Sequence, residues 1–537
     1  MKKKYLVLLI TLFVAVGLFA QEQFTVQIEP LVIPNAPNVH SYAWGLTTDG
    51  KWVIIGGRID GLHQRQPFAA FLESENNKSV YIVDPVTNQS WNTSIGVLPT
   101  SMFEQLQATN QEFYQRNNTL YIIGGYGYSA TQNDHITYDK LTAIDIDALA
   151  NAVINNSSID PYFRQITDPN LAVTGGQLGF LNDVFYLCGG QYFEGRYNPM
   201  GPNSGPGFIQ NYTDEIRSFQ INDDGTNLSI VNYSAQNDTG NLHRRDYNMV
   251  PQIFPDGTKG FTMFSGVFQH SVNLPWLNTV DVKASGYTVN STFNQYLSQY
   301  HSATIPVYDT ASNIMHTFFF GGISQYKLDT NNILVQDNNV PFVKTISKVS
   351  RFSDGSMTES NLNIEMPAFL GSGAAFIPIN NNTNYLTDEI VDLNNLEDDL
   401  TLVGYIFGGI ESSQENIIFI NNGAQSSASN LAFKVYIDKS VLAVDEVELN
   451  TANIYNLKVY PNPSKNGVFS IEVFIPNTEK NILEIYSVLG KKIQTLAFES
   501  SIGLRTIPLN LTNLANGEYI LVFKNNGNSI KKAILKL

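Results

Sequence analysis

Six times this chain writes a short apolar, aromatic-rich run that ends in two small residues. The runs are Trp52 to Gly57, Leu120 to Gly125, Val184 to Gly190, Phe261 to Gly266, Phe318 to Gly322 and Tyr405 to Gly409. Five end in Gly-Gly; the fourth ends in Ser265-Gly266. Bulky residues at that density suit a strand packed between neighbouring sheets. A glycine pair directly after it lets the backbone leave at dihedrals closed to other residues, in a crowded place. One such unit repeated along a chain is the mark of a repeat array. The expected fold class is all-β: a six-bladed β-propeller.

Each unit reads as four strands. In the first, His40 to Leu46 is innermost, Trp52 to Ile55 second, Val80 to Val83 third and Trp91 to Ile95 outermost. Asp49-Gly50 supplies a hairpin turn between the first two, and Asp256-Gly257 repeats the device in the fourth unit. Further third strands are expected at Leu141 to Ile146, Glu215 to Ile221, Thr279 to Lys283, Val343 to Val349 and Leu431 to Ile437. No outer strand follows the sixth, whereas Phe24 to Ile33 has no unit of its own. That segment is expected to complete the sixth blade and close the ring, removing exposed sheet edges.

The double glycine after an aromatic-rich strand resembles the kelch repeat, over roughly Phe24 to Asp438. The resemblance implies a kelch-like β-propeller. The steps between successive units are 68, 65, 76, 56 and 87 residues, against about 50 for a kelch unit, so the loops carry insertions.

The last 80 or so residues make a separate statement. Short alternating strands there are parted by Gly, Asn and Pro turns, the pattern of a small Ig-like antiparallel β-sandwich. The residues Tyr460-Pro461-Asn462-Pro463, then Tyr486-Ser487-Val488-Leu489-Gly490, then Asn516-Gly517-Glu518-Tyr519 and the basic pair Lys531-Lys532 resemble the type A sorting domain of the type IX secretion system, found in Bacteroidota. The resemblance implies the secretion machinery as a partner and the outer cell surface or medium as destination, reached through the periplasm. The N-terminus agrees: Lys2-Lys3-Lys4, an apolar run from Tyr5 to Phe19 and a small residue, Ala20, read as a cleaved secretory signal peptide. No later stretch is apolar enough in length to cross a bilayer. The expected organisation is thus signal peptide 1–20, propeller 21–438, linker 439–456 and sorting domain 457–537. The acidic, polar linker is where a surface protease would find accessible backbone.

A net charge of −16 argues against nucleic acid as a partner. The single cysteine, Cys188, precludes an internal disulfide and sits in an apolar strand, as a core residue does. Stability therefore rests on packed sheets, for which 27 Tyr and 32 Phe supply material.

A functional site is placed by geometry. Loops that enter the inner strands and loops that join second to third strands share one face of a propeller. The latter are long here: Arg58 to Lys78, Tyr126 to Asp139, Gln191 to Asp214, Val267 to Asn278, Ile323 to Pro341 and Ile410 to Asn430. Function in such scaffolds usually lives on loops held by a rigid body. Counting back from the glycine pairs, His40 lies 16 residues before Gly56, Gln105 19 before Gly124, Arg245 20 before Ser265 and His301 20 before Gly321. The candidate ligand-binding set at the pore mouth is His40, Tyr42, Gln105, Arg244, Arg245, Asp246, Tyr300 and His301. Arginines, aromatics and a carboxylate there suit a sugar or an acidic group, through bidentate bonds and stacking. The plainer alternative makes Arg245 and Asp246 a structural ion pair between blades.

Catalytic templates are missing. The chain has no Gly-x-Ser-x-Gly elbow, no His-Glu-x-x-His and no phosphate loop. Thr47 to Trp52 is superficially similar to the Asp-box of sialidases but lacks a residue between Asp49 and Gly50. Copper-radical oxidases also use kelch-type propellers but need a cysteine cross-linked to tyrosine, and Cys188 lies inside a repeat strand. The acidic stretch Asp388 to Asp399 lacks EF-hand spacing and reads as a solvated loop. No cofactor, metal site or catalytic residue is assigned. Two function classes stay open: a binding or adhesion propeller for a glycan or protein, and a secreted carbohydrate-active enzyme. A pair of pore carboxylates would mark the second. Asp246 is the clear member, with Glu194 or Glu104 as speculative partners.

Overall fold

A computed structural model describes residues 24–198, 200–203, 205, 207–380, 383–387, 389–440, 446–448, 457–475, 480–488, 490–498, 503–525 and 528–537. The signal peptide and most of the linker lie outside the described residues.

Six blades follow one another, each built on four antiparallel strands of which the glycine-ended run is the second; in blade 5 the sheet grows to six strands, with Val391–Asp392 parallel to the inner strand and Glu446–Glu448 on the outer edge. Blade 1 holds Ala43–Leu46, Trp52–Ile55, Ser79–Asp84 and Gln89–Ser94. Blades 2 to 5 repeat this order around Thr119–Ile123, Val184–Cys188, Lys259–Phe264 and Ile314–Phe320. In blade 6, Ala375–Pro378, Leu400–Phe407 and Ala432–Asp438 are joined by Thr25–Leu31 as the outer strand. The register runs from Thr25 opposite Asp438 to Leu31 opposite Ala432. The ring is thus closed by this N-terminal strand, where Phe24 and Val26 are buried in one cluster with Val435 and Ile437.

The glycine pairs do a specific job. The second glycine donates its N–H to a carbonyl at the inner entrance of the next blade. Gly57 bonds Ala108 (2.9 Å), Gly125 bonds Val173 (2.9 Å), Gly190 bonds Arg244 (2.8 Å), Gly322 bonds Leu370 (3.1 Å) and Gly409 bonds Val39 (3.0 Å). The first glycine leaves room for that same carbonyl. A Cβ on Gly124 would lie 2.0 Å from the Val173 oxygen, and one on Gly321 1.9 Å from that of Leu370. Both glycines also adopt positive φ, where L side chains are strained. Blade 4, with Ser265 at φ 58°, is the exception. There the Gln299 carbonyl is bound instead by the side-chain amide of Asn248 (2.9 Å) and by the Ser302 hydroxyl (2.7 Å).

Several second-to-third connections are more ordered than loops. They form hairpins, Tyr126–Ser129 with Asp134–Thr137 and Gln191–Glu194 with Ile209–Tyr212. Two helices also went unread in the sequence, Thr100–Leu106 and Ile146–Ile154. Within the expected linker, Glu446–Glu448 pairs with the outer strand Met357–Glu365 of blade 5. In the acidic stretch, Val391, Leu393 and Leu396 are buried anchors between exposed Glu397, Asp398 and Asp399, while Asp388 lies outside the described residues. Cys188 is a core residue whose thiol burial pushes up to about 12.

The C-terminal domain is a β-sandwich. One sheet holds Lys458–Tyr460, Val468–Ile475 and Gly503–Asn510. The other holds Lys492–Phe498, Asn481–Ser487, Gly517–Asn525 and Asn528–Lys536. Phe469, Ile471, Leu483, Ile485, Leu521 and Phe523 fill the space between them. Asn462 of the Tyr-Pro-Asn-Pro motif donates to Ala533 O (2.9 Å) and accepts from Leu535 N (2.8 Å), tying the motif to the last strand. Lys531 and Lys532 are exposed on that strand. No helix among the described residues is long and apolar enough to cross a membrane.

Candidate functional site

Two rings of residues, one from each blade in each ring, build the mouth of the channel. The residue after each glycine pair forms the first: Arg58, Tyr126, Gln191, Val267, Ile323 and Ile410. Each is bridged by backbone to the entrance of its own inner strand, at His40, Thr109, Thr174, Arg245, Tyr300 and Ser372 respectively. All twelve line one cavity of ≈ 250 Å³.

The next residue inward closes the floor. Ser41, Asn110, Gly175, Asp246, His301 and Gly373 all have φ between 49° and 70°. Their backbones bond around the axis: Asn110 N to Ser41 O (3.2 Å), Gly175 N to Asn110 O (3.1 Å), Asp246 N to Gly175 O (2.8 Å), Gly373 N to His301 O (2.7 Å) and Ser41 N to Gly373 O (2.9 Å). Among the described residues, only the link from Asp246 to His301 lacks this bond. It falls at the same blade 4–5 junction where Ser265 replaces glycine. Beyond the floor lies a separate cavity of ≈ 480 Å³, lined by inner-strand residues such as Trp44, Phe113 and Phe376 and sharing no lining residue with the first.

The structure sorts the eight expected site residues. His40, Arg245, Asp246, Tyr300 and His301 are brought together on the mouth cavity. Tyr42 points into the blade 6–1 interface, its hydroxyl donating to Phe407 O (2.9 Å). Arg244 is fully buried beneath Trp276 and holds the Ser265 and Asn278 carbonyls (2.8 and 2.9 Å). Adjacent residues on an extended segment face opposite ways, so Arg244 turns inward where Arg245 turns to the mouth. Gln105 lies on the helix Thr100–Leu106, four residues before the blade 2 entrance at Thr109, which comes only 15 residues before Gly124. Its amide caps Ile122 O and Lys140 O (3.3 and 3.1 Å), as Gln299 caps Phe319, Gly321 and Thr345 in blade 5. These three residues belong to the scaffold. So do the two speculative carboxylates: Glu104 accepts from Ser129 and Thr131, and Glu194 from Tyr192.

Each mouth arginine carries its own carboxylate. Arg58 makes a bidentate pair with Asp60 (2.8 and 2.7 Å) and lies over the Phe71 ring. Burial would raise the Asp60 carboxyl, but His40 and the Arg58 guanidinium beside it hold it below its usual range. Arg245 pairs with Asp246, takes the Tyr212 hydroxyl as acceptor (3.2 Å) and lies over Phe268. The imidazoles are otherwise situated. Burial pushes His63 down to about 4 and lowers His301. His63 packs against Tyr197 and Phe71. His40 Nε2 is 3.9 Å from Asp60, too far for a hydrogen bond. His40 Nε2, His63 Nδ1 and Asn110 Oδ1 are buried without a protein partner, on residues that line the cavity. Buried polar atoms are ordinarily satisfied, so the cavity is built for a guest with hydrogen-bonding groups. His63, Phe71, Tyr197 and Phe268 come from loops without sequence pattern. Arg58, in contrast, was findable by its place after a glycine pair.

Residues 458–536 match the secretion system C-terminal sorting domain. This defines the last domain as a type IX export signal and the chain as one sent to the cell surface or beyond. A search of curated proteins finds no match. Among solved structures, one titled "Structure of YjhT" is similar over 76% of this chain and 99% of its own, at 12% identity and a TM-score of 0.42. Another, a "novel fungal alcohol oxidase with catalytic diversity among the AA5 family, in complex with copper", is similar over 96% of this chain and 100% of its own, at 8% identity and a TM-score of 0.37.

Proposed function

We propose that this is a kelch-like binding propeller of a Bacteroidota cell, exported by the type IX system, whose pore mouth takes a glycan or protein group as ligand. One observation carries the reading: a walled cavity with three buried, unpartnered polar atoms beside two arginines fixed in place by carboxylates. Fixed polar groups in a concave, partly aromatic site recognise ligands at low ordering cost. The same fixing disfavours the other reading, a secreted glycosidase, lyase or epimerase. A general acid needs a raised pKa, whereas Asp60 is lowered and Asp246 is tied to Arg245. The sorting domain is the handle for the secretion machinery, and it is cut off within 439–456 on arrival. A glycan array probed with the mature protein, run beside a polysaccharide degradation screen, tests the reading. Glycan binding without product formation supports it, and release of sugars that depends on Asp246 overturns it.

A further inference from the structure

Resting on that reading, we infer that the mouth cavity takes the uncharged terminal residue of a glycan, and that it discriminates against a terminus bearing a carboxylate or sulfate. The argument is one of shape and charge. The hydrogen-bonded floor makes the cavity shallow, so a chain enters end first and does not thread the propeller. Every ionisable group at the site can be balanced. Arg58 is matched by Asp60 and Arg245 by Asp246. The phenols of Tyr126, Tyr197 and Tyr300 are raised by burial and stay neutral. His63 and His301 are held uncharged by burial. An arginine selects an anion when its fork is free to accept one; Arg58 spends its guanidinium on Asp60, Leu72 O and Asn76, and Arg245 spends Nε on Tyr212 and Nη1 on Asp246. A second negative charge beside Asp60 and Asp246 would be repelled in a partly desolvated site, and like-charge juxtaposition is a strong discriminator. What remains on offer are His63 Nδ1 and Asn110 Oδ1, buried without a protein partner, and His40 Nε2 beside Asp60, against aromatic walls. That combination fits hydroxyls and the apolar face of a sugar ring.

The test uses the mature protein on an array holding the same chains with neutral, uronate and sulfated ends, followed by titration of the best pair at pH 7. Neutral ends should bind at least tenfold more tightly than their uronate or sulfate counterparts, with signals sorting by terminal residue. Asp246→Asn leaves Arg245 unmatched and should narrow or reverse that ratio. Asp60→Asn, beside Arg58, should act the same way if the first variant melts early. A wild-type preference for charged ends overturns the inference while leaving glycan binding intact. Absence of binding to every glycan overturns the reading beneath it as well.

Discussion

Gly409 in blade 6 donates its backbone N–H to the carbonyl of Val39 in blade 1 at 3.0 Å, the bond by which Gly57 reaches Ala108 on the opposite side of the joint. The seam that closes the ring is therefore chemically the same as the joints after blades 1, 2, 3 and 5. The second glycine supplies the donor, and the first clears space for the acceptor.

That division of labour predicts opposite outcomes for substitution. Gly124→Ala puts a Cβ 2.0 Å from the Val173 oxygen on a residue at φ 62°. The left-handed backbone alone costs about 1–3 kcal/mol, and the displaced carbonyl adds to it. Ser265→Gly should cost nothing or raise the melting temperature, because Ser265 holds positive φ with a buried hydroxyl lacking a partner. Equal thermal melts for the two variants would refute this account of the glycine pair.

Arg245→Ala separates recognition from scaffold. Removing the guanidinium leaves the Asp246 carboxylate unmatched at the cavity, and an unsatisfied group of that kind costs about 1–3 kcal/mol, so binding of a neutral terminus should weaken by a comparable amount. The same change leaves Asp246 and the Tyr212 hydroxyl without their guanidinium, so some loss of melting temperature is expected too. Melts and glycan titrations belong on the same sample. A destabilised protein with unchanged affinity would assign Arg245 to the scaffold alone.

His316 offers a pH test away from the mouth. It is fully buried beside Phe24, its Nδ1 shares a hydrogen with Ser350 Oγ (2.8 Å), and burial holds it down to about 3 from 6.5. The folded state keeps it neutral while the unfolded chain takes up a proton below the ordinary value. Its contribution is therefore complete above about pH 6.5 and is lost as pH falls towards 3, by a few kcal/mol. Denaturant midpoints at pH 7 and 4.5 should fall further in the wild type than in His316→Gln. Parallel pH dependence in the two proteins would contradict it.

Deleting residues 457–537 removes the sorting domain and should strand the propeller in the periplasm. Fractionation that finds undiminished protein at the surface or in the medium would show that another signal directs export.

The sequence disclosed the parts of this fold that depend on local requirements. A glycine pair is a point demand on the backbone and survives translation into letters, so all six second strands were readable. So was the closing role of Phe24 to Ile33, by elimination. The site was half readable. Arg245, Asp246, Tyr300 and His301 follow from counting, but Arg244 and Tyr42 depend on which way alternate residues face. Gln105 was misplaced because the first hairpin of blade 2 is short, so its entrance, Thr109, lies only 15 residues before Gly124. His63, Phe71 and Tyr197 reach the mouth only through loop-to-loop contacts such as His135 Nε2 with Phe71 O (2.8 Å), which leave no periodic trace.

The outer strand Thr25–Leu31 is the first part of the propeller to be made and the last that the fold can use. Its partner, Ala432–Asp438, lies some four hundred residues later, so until that strand is made the blade 6 sheet has no outer strand and the ring cannot close. The residues that match the sorting domain, 458–536, come after that partner in the sequence. The residues that carry the export address are thus made only after the last strand the ring needs in order to shut.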